Sequence, residues 1–291
     1  FVACRDKETL VHFNGNTFDL PFLKQRAAHF SLEHPFDEME GVDIYKRTAP
    51  YKGLLGLESC KQKSIEAFLG IDREDEYNGG QLIKVYEDYT KSGDEEAERL
   101  LLLHNHDDMI GMLKILPILS YSDVFAHLFK VSRVQANHYT DLDGSERDEV
   151  LMKLRFPIAF PKPLSLHKMD CTFSGEGREG FLKVPLYKEE MKFFYANYKD
   201  YYYLPEEDTA VHKAIAFCVD KEHRKQAKAS NCYTKKEGAF LPQWDIIFEP
   251  IFKRDYEDKV CFFELTDEMK KQPEEFRKYA VHILDMLAHA Q

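Results

Sequence analysis

The apolar residues of this chain change their spacing partway along, and that change constrains the fold more than any single motif. Up to about residue 128, short apolar runs such as LVHF (10–13) alternate with helical patterns and modest loops. A short, nearly continuous run of this kind reads as a strand covered on both faces in a partly parallel sheet. From about residue 151, segments such as LMKLRFPIAF, GFLKVPLYKEEMKFFYANYKDYYYLP and KVCFFEL are rich in aromatic and β-branched side chains, punctuated by Pro and turn residues. That pattern favours antiparallel sheet. Between the two lies NHYTDLDGSERDE, polar and without an apolar period, which reads as a connector. The expected organisation is therefore an α/β domain over 1–128, a linker over 129–150 and a β-rich α+β domain over 151–291, with 291 residues enough for two ordinary cores.

Two helices are expected in the second half: EEDTAVHKAIAFCV (206–219), and a C-terminal one in which Phe276, Tyr279, Ala280, Ile283 and Leu287 recur at helical spacing after Pro273. No internal repeat stands out. The net charge of −11 argues against a protein that coats nucleic acid nonspecifically, because that binding depends on Lys and Arg neutralising phosphates. It leaves room for a local basic groove. Residues 221–236 hold Lys221, Arg224, Lys225, Lys228, Lys235 and Lys236 against one acid, Glu222, so Lys225 and Lys228 are candidates for phosphate contact; the alternative is a solvated helix face.

No window is apolar enough for a membrane span and no secretion signal is present, so a cytoplasmic protein is expected. The six cysteines are scattered, without C-x-x-C pairs, and read as buried free thiols. The chain starts at Phe1 and not at Met, so its natural start is expected to be missing. Oligomeric state is left open.

Two stretches carry candidate chemistry. In HFNGNTFDLPFLKQR, the Asn14-Gly15 turn ends a strand, Pro21 suits a first helical turn, and Phe22, Leu23, Ala27 and Phe30 give the helix an apolar face. Asp19 stands where strand hands over to helix. The second stretch, ERLLLLHNHDDMIGMLKILPIL, is a strongly apolar helical run interrupted by His104, Asn105, His106, Asp107 and Asp108. His104 and Asp108 share a face, and Leu102, Met109, Leu113 and Leu116 are expected to form the core-facing stripe. A strand-end aspartate plus an aspartate on a mostly buried helix suits hard divalent cations, which prefer carboxylate oxygens. Two such ions about 3.5–4 Å apart activate water and steady the leaving oxygen in phosphodiester hydrolysis. A neighbouring His can take the water's proton.

FNGNTFDLPFLKQR resembles the second exonuclease motif of the DEDD superfamily, with Asn14 and Asp19 in the N-x-x-x-F-D positions and Arg26 in the trailing Arg position. LLLLHNHDDMIGML resembles the third motif of the YprB-like branch of ribonuclease-H-like proteins, with His104 four residues before Asp108 in the place of a tyrosine. Between them, SIEAFLGIDR and Gly79-Gly80 are similar to the family's connecting helices, so the resemblance spans roughly residues 9–122.

The resemblance implies a ribonuclease-H-like mixed sheet flanked by helices and a site with two Mg²⁺ or Mn²⁺ ions held in part by Asp19 and Asp108. It also implies nucleic acid as substrate, contacted at Asn14 and Arg26, and removal of nucleotides from a 3′ end with His104 as proton acceptor. The family's first motif, D-x-E on an upstream strand, has no counterpart here. Asp6-x-Glu8-Thr9 has the letters but reads as the polar turn entering LVHF.

Simpler readings stand beside these. Asp19 can stabilise the free N–H groups of a helix start. Asp107 reads as a neighbouring surface acid, His106 as a helix-surface or packing histidine, Asp43 as a structural or surface residue, and the tyrosines of YANYKDYYYLP as ordinary strand alternation, with base stacking the lesser alternative. The competing function is a nucleic-acid-binding or assembly module that keeps the fold without a working site; a third is a structural scaffold.

Overall fold

The computed structural model describes Cys4, residues 6–74, Tyr77, residues 79–141 and residues 143–288. The chain divides into two compact units. The first contains the residues up to Leu128 together with Ile158–Leu164, and the second contains Phe129–Pro157 and the residues from Ser165 onward.

In the first unit, β1 (Thr9–His12) and β2 (Glu40–Asp43) pair in parallel, with Leu10 opposite Gly41 and His12 opposite Asp43. A parallel pair requires a crossover, and α1 (Asp19–His29) supplies it. The helices α2 (Ile44–Thr48), α3 (Gln62–Leu69), α4 (Gly79–Ser92), α5 (Glu95–Lys114) and α6 (Leu119–Phe125) follow. Their core gathers Ile44, Ile65, Ile115, Ile118, Tyr121 and Val124, all at most 2% exposed. The returning segment Ile158–Leu164 is fixed to this core by Tyr121, whose hydroxyl donates to the Lys162 carbonyl at 2.9 Å and accepts from the Lys162 N–H at 3.0 Å. LMKLRFPIAF is thus not one strand: its first five residues end β4 (Glu146–Arg155), and Ile158–Phe160 belong to the first unit.

The expected apolar stripe of α5 is corrected. Leu102, Met109 and Leu113 are about 60% exposed (61%, 60% and 62%), and Leu116 lies beyond the helix. The inward face instead carries Ala97 and Gly111, both buried, with His104 and Asp108 half-buried between them. The spacing identified a helix, but its polar residues found partners inside, and that rotated the leucines outward. On α1 only Ala27 is buried; Phe22, Leu23 and Phe30 are exposed.

In the second unit, residues read as a linker are strands. β3 (Lys130–Thr140) and β4 form an antiparallel hairpin with Asn137 opposite Glu149, His138 opposite Asp148 and Tyr139 opposite Arg147. The polar residues that hid the apolar period are cross-strand partners: His138 meets Asp148 at 3.1 Å and Glu146 at 2.7 Å, and Asn137 donates to Glu149 at 3.1 Å. After β5 (Leu164–Lys168) and β6 (Cys171–Glu176), the 16-residue β7 (Glu179–Phe194) becomes the hub of the sheet. β4 and β6 flank its first half, and β11 (Tyr233–Gln243) flanks its second half. β12 (Cys261–Glu264) closes the far side against β11.

A smaller antiparallel sheet has the order β10–β8–β9, from β8 (Tyr201–Leu204), β9 (Thr209–His212) and β10 (Lys225–Gln226). The helix expected over 206–219 is therefore a strand and a short 3₁₀ turn. The β-branched Thr209 and Val211 in a strand hydrogen-bonded to β8 outweigh its apparent helical period. The C-terminal helix is α7 (Pro273–Ala288), with Phe276, Tyr279, Ala280, Ile283 and Leu287 buried as their spacing requires. Among the described residues, no helix is long and apolar enough to cross a membrane.

Candidate functional site

The strand-to-helix junction is built by backbone clasping. Asn14 takes a left-handed conformation (φ 53°), and its N–H donates to Asp43 Oδ1 at 2.9 Å. The Gly15 N–H donates to His12 Nδ1 at 3.1 Å. The same Asp43 oxygen caps α2 by accepting from the N–H groups of Tyr45 (3.1 Å) and Lys46 (3.4 Å). Asp43 is thus buried, at 5% exposure, and His12 lies beside it with Nδ1 3.8 Å from Oδ2. Of the two roles foreseen for Asp43, the structural one fits and the surface one does not.

The junction presents Asp19 as the first residue of α1. Its carboxylate is exposed and has no hydrogen-bond or ion-pair partner among the described residues. Arg26, one helical stretch further, lays its guanidinium over the Phe30 ring at 4.7 Å. Asn14, Asp19 and Arg26 therefore follow one another along a single turn and helix.

Asp108 is differently placed. On α5, His104 Nε2 approaches Asp108 Oδ2 at 3.2 Å, as the four-residue step allows. The other oxygen, Oδ1, accepts from Arg73 Nη2 at 2.7 Å. Arg73 also reaches Glu66 with Nη1, at 3.1 Å to Oε1 and 2.9 Å to Oε2. Gln62 Nε2 closes the network by donating to Glu66 Oε1 at 2.8 Å and to the Asp108 carbonyl at 2.9 Å. Burial opposes the charge of Arg73, but its hydrogen bonds to Asp108 and Glu66 prevail and raise its pKa further above the usual value. Glu66 is completely buried, and Gly111 leaves the room it occupies. Asp107, expected as a surface acid, has its carboxylate only 13% exposed and accepts the Glu74 N–H at 3.0 Å.

The structure thus brings His104 and Asp108 together and keeps Asn14, Asp19 and Arg26 on one turn and helix. It places Lys225 and Lys228, both exposed, in the other compact unit. No hydrogen bond or ion pair among the described residues joins Asp19 to Asp108. Nor do three His, Cys, Asp or Glu side chains gather among the described residues as a metal would need. With both Asp108 oxygens engaged by cationic or imidazole nitrogens, the side chains at hand do not form a divalent-cation site by themselves. The pivotal residues that sequence reasoning passed over are Glu66, Arg73 and Gly111. An acid beside Ile65 on a buried helix and a glycine in mid-helix were the available signals.

Comparison with known proteins fits this reading of the first unit. Residues 2–120 match the family model described as RNase_H superfamily. An uncharacterized protein of Methanocaldococcus jannaschii is 31% identical over 104 residues, covering 35% of this chain and 58% of that protein. The chain therefore spans less than two thirds of that relative's length. No solved structure matches. The N-terminal region carries a ribonuclease-H-like domain of helices and sheet, and the region after it is β-rich and antiparallel.

Proposed function

We propose that this chain is a metal-dependent nuclease that hydrolyses phosphodiester bonds of DNA or RNA in the cytoplasm, working from a 3′ end as a member of the YprB-like branch. What carries this reading is the His104–Asp108 contact on the inward face of α5, within the matched residues. It sets an imidazole against a carboxylate at the step that the third motif requires. Asp19 and Asp108 are the proposed Mg²⁺ or Mn²⁺ ligands, His104 the proton acceptor, and Asn14 and Arg26 the substrate contacts, with Lys225 and Lys228 offering charge to phosphates.

Because the described residues do not complete a cation site, no catalytic step is assigned to the metals. Further carboxylates must join Asp19, and Arg73 must yield Asp108 Oδ1, before a two-metal site exists. The Arg73–Asp108 bond favours a second reading, a nucleic-acid-binding or assembly module in which a guanidinium stands where a cation would and no hydrolysis occurs.

Digestion of end-labelled single-stranded DNA and RNA by the full chain in Mn²⁺ separates the two. The nuclease reading expects shortening from one end, lost in Asp19→Asn and in Asp108→Asn. Undiminished cleavage by either variant removes that aspartate from the mechanism. Binding without cleavage by the unsubstituted chain favours the second reading.

A further inference from the structure

A second place on the molecule has the makings of a ligand site, and it lies wholly in the second unit. Where β7 ends, Phe194, Tyr195, Tyr198, Ile251, Tyr256 and Ala229 wall an open cavity of about 390 Å³. That volume falls toward the lower end of the roughly 300–1,000 Å³ typical of small-ligand pockets. Four of these walls are aromatic rings. Phe194 packs edge-on to Tyr256 at 5.4 Å and to Tyr233 at 5.2 Å, and Tyr195 stacks on Tyr201 at 4.5 Å with its hydroxyl 3.3 Å from Thr234 Oγ1. Of the outer rings, Tyr198 is half-buried against the Ala210, Ala227 and Cys232 cluster but stacks on no other ring among the described residues, and Tyr256 is 41% exposed.

The free charge around the cavity is mostly positive: among the residues next to its walls in sequence, Glu257 is an acid without a partner among the described residues, and the others that are free are lysines. Lys253 lines the wall, with its ammonium donating to the carbonyls of Tyr256 and Asp258. The nearby Asp255 carboxylate is taken by Lys192 at 3.0 Å. Lys199 and Lys228 adjoin the wall residues Tyr198 and Ala229 in sequence. Both are exposed and have no carboxylate partner among the described residues, and neither has Lys225 on β10. Gln226 ties β10 to this corner by donating to the Tyr198 carbonyl at 3.3 Å and the Tyr201 carbonyl at 2.9 Å.

Flat aromatic walls beside unpaired ammonium groups select a flat ring attached to an anion. We propose that this cavity takes a base of a single-stranded nucleic acid, stacked against Tyr198 and Tyr256, while Lys199 and Lys228 receive the flanking phosphates. A methylated lysine of a peptide also suits aromatic walls, but the ammonium groups of Lys253, Lys199 and Lys228 repel it. The inference rests on the reading of this chain as one that acts on nucleic acid, and it gives the β-rich unit a role in holding the strand.

The test is fluorescence anisotropy of labelled short oligo(dT) and oligo(U) with the full chain in EDTA. Tyr198→Ala and Tyr256→Ala should each weaken binding roughly 5- to 150-fold, the value of one base–aromatic stack. The corresponding Phe variants keep the ring and should bind like the unsubstituted chain. An abasic strand of the same length should bind the unsubstituted protein more weakly, which needs no variant to fold. Lys228→Ala should lower the slope of log K against log salt by about 0.7.

Equal affinity for the abasic strand, unchanged affinity in both Ala variants, or displacement of the oligonucleotide by a trimethyllysine peptide would overturn the proposal. So would absence of oligonucleotide binding. The two oligonucleotides distinguish DNA from RNA as the source of the base. Cleavage does not run in EDTA, so failure to bind there bears on this cavity. Failure to cleave in Mn²⁺ with binding intact bears on the nuclease reading alone.

Discussion

Gly111→Ala should destabilise the first unit, although the same change in an ordinary helix does the opposite. In the middle of a helix, alanine is favoured over glycine by about 1 kcal/mol. Here a Cβ on residue 111 would fall 1.9 Å from Glu66 Oε1 and 2.8 Å from Gln62 Nε2. Glu66 cannot swing into water, because its side chain is only 1% exposed and is held by Arg73. The methyl group therefore forces the carboxylate away from the guanidinium or forces α3 and α5 apart. Breaking a buried, hydrogen-bonded ion pair costs about 3–5 kcal/mol.

Set against the helix-propensity gain, the expected net loss is roughly 2–4 kcal/mol. The measurement is urea unfolding of the full chain followed by far-ultraviolet circular dichroism, reading the transition of the helical first unit. Its midpoint should fall while that of the β-rich unit stays in place. A midpoint raised by the propensity increment would show that Glu66 does not occupy the space opposite Gly111, and the account of the Glu66–Arg73–Asp108 network would fail with it.

Three further outcomes are expected. Asp43→Ala removes the acceptor shared by Asn14, Tyr45 and Lys46 and should cost about 1–3 kcal/mol in thermal unfolding, while Asp43→Asn keeps a carbonyl oxygen and should cost less; equal losses would contradict the clasp. Gly180→Ala puts a Cβ 2.7 Å from the Phe173 ring and 2.8 Å from the Phe156 ring, an overpacking expected to cost roughly 1–3 kcal/mol in the second unit, and an unchanged midpoint would refute it. Asp208 is hydrogen-bonded by Lys235, Tyr203 and Tyr233, which holds its pKa well below the usual carboxylate value. Its stabilising effect is complete above the unfolded pKa of about 3.9, declines as the pH drops below that, and is lost once the pH falls through the folded pKa. The stability difference between the unsubstituted chain and Asp208→Asn should therefore shrink on acidification, and a difference that stays constant with pH would exclude the assignment.

Local chemistry settled part of this molecule before any tertiary contact was considered. The strand, the Asn14-Gly15 turn and the helix with Pro21 in its first turn from Thr9 to His29, the long helix through His104 and Asp108, and the C-terminal helix after Pro273 all follow from spacing, turn residues and end signals that act within a few residues. So does the pairing of His104 with Asp108, which a helix imposes at a four-residue step. The hairpin of β3 and β4 was not legible in this way. Its polar residues are satisfied by each other across the two strands, and partners 6–12 residues apart on opposite strands leave no period in either.

The orientation of α5 was decided at longer range still. Amphipathic spacing sends leucines inward unless polar groups find better partners there, and Asp108 found Arg73, 35 residues away, with Glu66 completing the ion pair and Gly111 making room. Sequence determined which residues share a helix face. Only the packed fold decided which face is buried, because that choice is set by the combined desolvation and pairing of groups from several helices and not by any one of them.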